Sequence, residues 1–226
     1  MKIAMIGGGT VGQTLGAALA ANGHDVAIGI RSVTPGELAK PRQNAATLAD
    51  WQAKTGAKVV TMAQAAAYGE IVFNATSGGA SLAALKLAGE ANLNGKVLVD
   101  VANPLDFSQG MPPFLISQYT GPTSLAEQIQ AAFPKAKVVK AFNTIAAAVM
   151  VNPALIPGDH DLFIAGNDAG AKATVGDLAR REFGWKTIVD LGDIVGARGT
   201  ESLLPIWVRL WGVTGTHLIN LHLAKG

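Results

Sequence analysis

The feature that most limits what this chain can become lies at its start. Lys2 to Ile6 is a short apolar run with no breaker, and Gly7, Gly9 and Gly12 follow it as G-x-G-x-x-G. An unbroken apolar run of this length reads as a strand buried on both faces. Val11 to Asn22 then holds helix formers, and Val26 to Ile30 is a second apolar run. Strand, glycine turn, helix and strand within about thirty residues is the setting in which the glycine pattern implies a dinucleotide site. Gly7 allows the tight turn, Gly9 lets backbone approach a pyrophosphate, and Gly12 lets helix and strand pack closely. Gly8 adds freedom that the pattern does not need. The free N–H groups and positive dipole end of the helix would face the anion.

The end of the second strand bears on which nucleotide. NAD-binding units place Asp or Glu there to grip the ribose hydroxyls. Here Ile30 is followed by Arg31 and Ser32, and the first carboxylate is Glu37. Arg31 can fork onto a 2′-phosphate and Ser32 can donate a hydroxyl, with Lys40 or Arg42 adding charge. An ordinary solvated arginine is the blander reading. The missing acid favours NADP over NAD.

Beyond this unit, helices are read at 45–54, 62–68 and 81–90, with Ser81 as the N-cap of the third. Strands are read at 58–61, 71–74, 97–101 and 137–142. Ser124 caps a helix through Phe133, with Glu127 completing a capping box. The alternation predicts a parallel sheet with right-handed crossovers. Asn152 to Asp159, with two prolines and a glycine, marks a boundary. The expectation is a Rossmann-type doubly wound, mostly parallel α/β sheet over 1–151. A smaller C-terminal α/β lobe over 152–226 would complete the substrate cleft, end in a long apolar helix and form a dimer interface.

Composition narrows the chemistry. The chain has 226 residues and no cysteine, so disulfides, thiolate metal sites and cysteine nucleophiles are excluded. Its four histidines are scattered, which argues against a metal site. A net charge of +2 without basic runs gives no reason to expect nucleic acid or an anionic membrane surface. Charged residues are only 15 % of the chain, which points to apolar surface covered by a second subunit. Ile206 to Leu223 is about as long as a membrane span, but Arg209, His217 and Asn220 interrupt it. No membrane insertion is expected, and a cytoplasmic location is.

In an open α/β sheet, ligands lie beyond the carboxyl ends of the strands. Four loops qualify by position: Gly7 to Gly12 for the pyrophosphate, Thr76-Ser77 for the riboses, and Ala102-Asn103-Pro104 and Asn143-Thr144 for the nicotinamide. Each polar residue there also reads as a turn former or helix cap. No acid–base dyad is visible, and no catalytic residue is assigned. Ketone reduction needs a proton donor, whereas hydride transfer between two ring cofactors needs mainly alignment and dryness.

These residues resemble a known family. GGGTVG, the Arg31-Ser32 pair, ATS at Ala75 to Ser77, ANPL at Ala102 to Leu105, VVKAFNTI at Val138 to Ile145 and GDIVGARGTESLLPIWVRL from Gly192 are similar to the coenzyme F420-dependent NADP oxidoreductases. The resemblance implies a dimeric Rossmann protein moving hydride between NADPH and a deazaflavin. It implies NADP phosphate recognition by Thr10, Val11, Arg31 and Ser32, with the nicotinamide beside Asn103, Pro104 and Thr144. The segment from Val195 to Glu201 would close over the acceptor. Family members often carry His where this chain has Asn143. The same domain type resembles the cytosolic part of six-transmembrane metalloreductases, which leaves the acceptor as F420 or a flavin. Two alternatives stay open: a non-catalytic NADP-binding sensor, and an imine or small-ketone reductase similar to pyrroline-5-carboxylate reductase.

Overall fold

A computed structural model describes residues 1–226. Strand β1 (Lys2–Ile6), helix α1 (Thr10–Ala21) and strand β2 (Asp25–Ile30) form the opening unit. They are followed by α2 (Pro35–Ala39), α3 (Leu48–Thr55), β3 (Lys58–Thr61), α4 (Met62–Tyr68) and β4 (Ile71–Asn74). Next come α5 (Gly78–Ala88), α6 (Glu90–Leu93), β5 (Val97–Asp100), the short β6 (Leu105–Asp106) and β7 (Phe114–Leu115), and α7 (Leu125–Ala132). The chain continues with β8 (Lys137–Ala141), α8 (Ala147–Val151), β9 (Asp161–Gly166), α9 (Ala169–Leu178), β10 (Thr187–Asp190), α10 (Ala197–Ser202) and α11 (Leu204–Thr214).

Eight strands form one sheet in the order β3-β2-β1-β4-β5-β8-β9-β10. From β3 to β8 every neighbouring pair is parallel. Strand β9 is antiparallel to β8, and β10 runs parallel to β9. A parallel β9 would need a crossover back to the amino ends of the strands. The chain instead leaves β8, makes the short α8 and a 3-10 turn at Pro153–Leu155, and re-enters at the same, carboxyl end. Strands β6 and β7 pair separately as an antiparallel ribbon.

Both faces of the sheet are covered, which is why the strands read as continuous apolar runs. Ile3 and Met5 of β1 belong to a core of 29 buried residues shared with α1, α3 and α9. Ala4 and Ile6 belong to a second core of 22 residues beneath α4, α5 and α7.

Several expectations need correction. The residues after Asn152 build no sheet of their own, because β9 and β10 extend the main one. The long apolar helix is also absent as read: α11 ends at Gly215, whose φ of +70° closes it as a left-handed cap. Residues 216–226 then run irregularly past the start of β9, where the Asp161 N–H donates to the Leu221 carbonyl at 2.9 Å. The helix read at 45–54 starts at Leu48, because the Thr47 side chain accepts the Asp50 N–H and caps it there. Ser81 is no cap. Helix α5 begins earlier, after Ser77, and Ser81 lies buried inside it.

Helix α1 sits close to β1 because Gly12 has no side chain. A Cβ at Gly12 would fall on the Gly7 carbonyl oxygen, whereas one at Gly9 would meet nothing within 4 Å. Gly12→Ala is therefore expected to lower stability by about 1–3 kcal/mol through overpacking. Gly9→Ala should stay within about 1 kcal/mol of the parent, the small loss that alanine brings at an N-cap. Urea denaturation of both variants checks this, and equal losses would contradict the packing argument.

Candidate functional site

The carboxyl ends of β1, β2, β4, β5 and β8 lie along one edge of the sheet, and the predicted residues gather there. Gly7 turns with φ +113°, a backbone state that favours glycine. A Cβ on it would also meet the Ala75 carbonyl oxygen at 2.6 Å. The intrahelical ladder of α1 begins with the Gln13 N–H on the Gly9 carbonyl at 2.9 Å. The N–H groups of Thr10, Val11 and Gly12 precede it, at the positive end of the helix, and exposed Gly9 caps that end with no side chain. Open space above Gly9 is what a pyrophosphate requires, so the geometry fits that group. Gly8 is buried against Leu48 and Ile30, a packing role.

The loop before α3 is latched to this turn. The Thr10 hydroxyl donates to the Asn44 carbonyl at 3.2 Å, and the Gln13 amide donates to Gly8 and Ala46 carbonyls at 3.1 and 2.9 Å. Trp51 Nε1 donates to the Gln13 carbonyl at 2.9 Å. Thr10 therefore offers its N–H toward the crevice while its hydroxyl proton holds the loop.

Arg31 and Ser32 follow β2 directly, and both are exposed. Arg31 forms no hydrogen bond or ion pair with any side chain of the protein. The first acid after it, Glu37, is already engaged by Arg42 at 3.1 Å and Lys40 at 4.0 Å. So the β2 end presents a free guanidinium and no free carboxylate.

The remaining loops are joined by buried polar side chains. Thr76 turns its hydroxyl inward, to Asn74 Oδ1 at 2.7 Å and Ser81 Oγ at 2.9 Å, while Ser77 stays exposed. The Asn103 amide donates to the Asn143 carbonyl at 2.7 Å, and the Asn143 amide donates back to Asn103 Oδ1 at 3.0 Å. Asn143 also donates to the Thr200 carbonyl at 3.1 Å. Both its amide protons are thus used within the protein. Asn143 and Thr144 are each only 2 % exposed. Ala102 and Pro104 are buried beside them, and the Asn103 carbonyl accepts the Gly78 N–H at 3.0 Å.

Sequence reasoning missed the residues under these loops. Lys140 is buried, 2.8 Å from both Asp100 Oδ2 and Glu201 Oε1, and it donates to the Ala102 carbonyl. Burial alone would push its ammonium pKa down, but the charges and hydrogen bonds of Asp100 and Glu201 outweigh this and hold it above the ordinary lysine value. Asp100 Oδ1 in turn accepts from Asn74 at 2.8 Å. The available signal was a lone Lys and a lone Asp at the ends of apolar strand runs, since a charge buried there needs a partner. Phe142 was missed as well. It has φ +63°, unusual for an aromatic residue, and it is held edge-on against Phe183 at 6.0 Å. That turn aims Asn143 at Asn103.

No cluster of three or more His, Asp or Glu side chains is arranged to hold a metal. No helix is long and apolar enough to cross a membrane. A half-open cavity of about 230 Å³ beside His160 and Trp185 contains none of the predicted site residues.

Comparison with known proteins fits this geometry. Residues 2–104 match the family model described as NADP oxidoreductase, coenzyme F420-dependent. The F420-dependent NADP reductase of Methanocaldococcus jannaschii is 31 % identical over 93 % of this chain and 92 % of its own length. The metalloreductase STEAP3 of Rattus norvegicus is 30 % identical over 91 % of this chain, which spans only 38 % of that protein. A crystal structure from Arthrobacter sp. FB24, provisionally named an F420-dependent NADP-reductase, superposes with a TM-score of 0.92 at 48 % identity, covering all of both chains. An imine reductase of Myxococcus stipitatus, at 16 % identity and TM-score 0.62 over 95 % of this chain and 63 % of its own, shares the fold alone. Matched over almost its full length by the methanogen reductase, this chain belongs to the coenzyme F420-dependent NADP oxidoreductase family.

Proposed function

We propose that this protein binds NADP(H) along the carboxyl edge of its sheet and passes hydride between the nicotinamide and a flat ring acceptor, coenzyme F420 or a flavin. The observation that carries the reading is the free Arg31 guanidinium beside the open Gly9 turn, with Glu37 already paired. A ribose diol is held by a free carboxylate, while a 2′-phosphate is held by a free guanidinium.

The residues divide the work by position. The N–H groups of Thr10, Val11 and Gly12 hold the pyrophosphate above Gly7, Gly8 and Gly9. Arg31 and Ser32 take the 2′-phosphate. Thr76 and Ser77 wall the riboses. Part-exposed Asn103 faces the nicotinamide, and buried Ala102, Pro104, Asn143 and Thr144 support it from beneath. Bound NADPH would supply hydride, leaving NADP⁺, and the ring acceptor would take its balancing proton from solvent at its exposed edge. The protein's part is alignment of the two rings by its loops, so no side-chain acid is required. The segment from Val195 to Glu201 closes the acceptor side.

The protein acts as a homodimer in the cytoplasm on this reading. Ile206, Trp211, Val213, Leu218 and Leu223 are exposed on α11 and the segment after it, an apolar surface suited to a second copy. Sedimentation velocity should give twice the chain mass. A monomer at micromolar concentration would remove the dimer from the proposal.

Two measurements test the chemistry. Calorimetry of Arg31→Ala should show NADPH binding weakened by about 1.5–3 kcal/mol, the worth of a charge-assisted phosphate bond. NADH binding should barely change, and equal loss for both nucleotides would contradict the assignment. Stopped-flow mixing of NADPH with F420, FMN, FAD and a cyclic imine separates the acceptors. Oxidation by a ring cofactor supports the proposal, turnover of the imine alone would move the protein to the imine-reductase class, and no oxidation at all would favour a non-catalytic sensor.

A further inference from the structure

The hydride-transfer reading gives no task to a cluster of three buried charges. Lys140, Asp100 and Glu201 are each no more than 2 % exposed. They come from three separate elements: Asp100 ends β5, Lys140 lies in β8, and Glu201 belongs to α10. Lys140 Nζ lies 2.8 Å from each carboxylate and donates to the carbonyl of Ala102, the residue before Asn103. Glu201 also accepts the N–H groups of Leu125 at 2.7 Å and Ala126 at 3.1 Å, the first turn of α7. Neighbouring Thr200 accepts Asn143 through its carbonyl at 3.1 Å. One short helix is thus fastened twice, by adjacent residues, to the two loops that face the ring end.

Its other side has a separate tie. Arg198 makes a two-pronged pair with Glu127 of α7, at 2.8 and 2.6 Å. That bond orients α10 on α7 but touches neither ring-end loop. The link from α10 to the nucleotide platform runs through Lys140 and Asn143.

A buried ion cluster is weak evidence for stability, because an apolar replacement of similar volume often does as well. It does fix geometry, since each of its members has a single satisfied arrangement. The two carboxylates outnumber the ammonium, and the four N–H donors around them make up the difference: Leu125, Ala126, Ala102 and the Asn74 amide.

We propose that Lys140 is a positioning residue for hydride transfer, clamping α10 through Glu201 to the Ala102–Pro104 loop so that the acceptor wall is assembled before the acceptor arrives. The inference rests on the hydride-transfer reading above. Most nucleotide affinity is assigned to Gly9, Thr10 and Arg31, at the other end of the crevice, so loosening the clamp slows transfer far more than it weakens NADPH binding.

The variants are Lys140→Met, which keeps the length and removes the charge, and Glu201→Gln. The second is close to isosteric and leaves the Asp100–Lys140 pair intact, so it keeps the question open if the first does not fold. Two readouts are taken. Hydrogen–deuterium exchange should rise together in 197–205 and 102–106, while α1 and β1 keep their protection. Single-turnover oxidation of NADPH by the acceptor that the wild type uses should slow about tenfold or more, the scale of a small misplacement at a reacting centre, with a much smaller change in the NADPH Kd. Exchange that rises in neither segment, or a Kd that rises in proportion as the rate falls, would overturn the clamp. If wild-type protein oxidises NADPH with no ring acceptor, the hydride-transfer reading fails by itself, and the exchange experiment still decides whether the clamp exists.

Discussion

Helix α1 reaches the end of β1 only because two side chains are missing there. The space a Gly12 Cβ would need is held by the Gly7 carbonyl, and that of a Gly7 Cβ by the Ala75 carbonyl. Three pieces of backbone from β1, α1 and the β4 loop therefore meet with nothing between them. Their contact points the first N–H groups of α1 into the crevice between β1 and β4, where the strand order reverses direction. The arrangement at the β2 end of the crevice follows from that placement. Thr10 and Gln13 hold the loop before α3, and that loop flanks the end of β2 where Arg31 stands.

The β5 and β8 end of the crevice is built on a different principle. Gly78 packs closely on the Asn103 carbonyl, but the ends of β5 and β8 are joined mainly by buried polar side chains. A continuous path runs from Thr76 through Asn74, Asp100 and Lys140 to Glu201 and the start of α7. Unpaired, any of these groups would be costly in a low-dielectric interior. Paired, they hold strand ends that backbone hydrogen bonds alone would leave free. Backbone strain at Phe142 adds to this, because the chain must turn sharply there for Asn143 and Asn103 to exchange their amides.

How much of this could be read in advance depended on whether the cause was local. The glycine turn, the strands through β8 and the sheet class come from local periodicity and steric need, and the structure keeps them. The cap at Ser81 was misread because a serine near a helix start looks the same whether it caps or packs; only the position of Asn74 decides. The reversed β9 was not legible either, since strand direction depends on what the connecting residues fail to reach. Gly215 does carry a local stop signal, but the apolar residues beyond it resemble more helix. Asp100, Lys140 and Glu201 were invisible as a group because they are distant in sequence and meet only when β5, β8 and α10 pack. Arg31 was legible as a cation in the place of an acid. That Glu37 is already paired could be learned only from the fold.

The account stands on one claim, that the exposed guanidinium after β2 and the free amides at the head of α1 together form the seat of a phosphorylated dinucleotide. A crystal structure of the protein with NADP⁺ tests it most directly. The account predicts the pyrophosphate on the N–H groups of Thr10 and Val11, the 2′-phosphate on Arg31 and Ser32, and the nicotinamide against Asn103. A nucleotide bound elsewhere, or one whose adenosine ribose sits on Glu37 with Arg31 turned away, would contradict it.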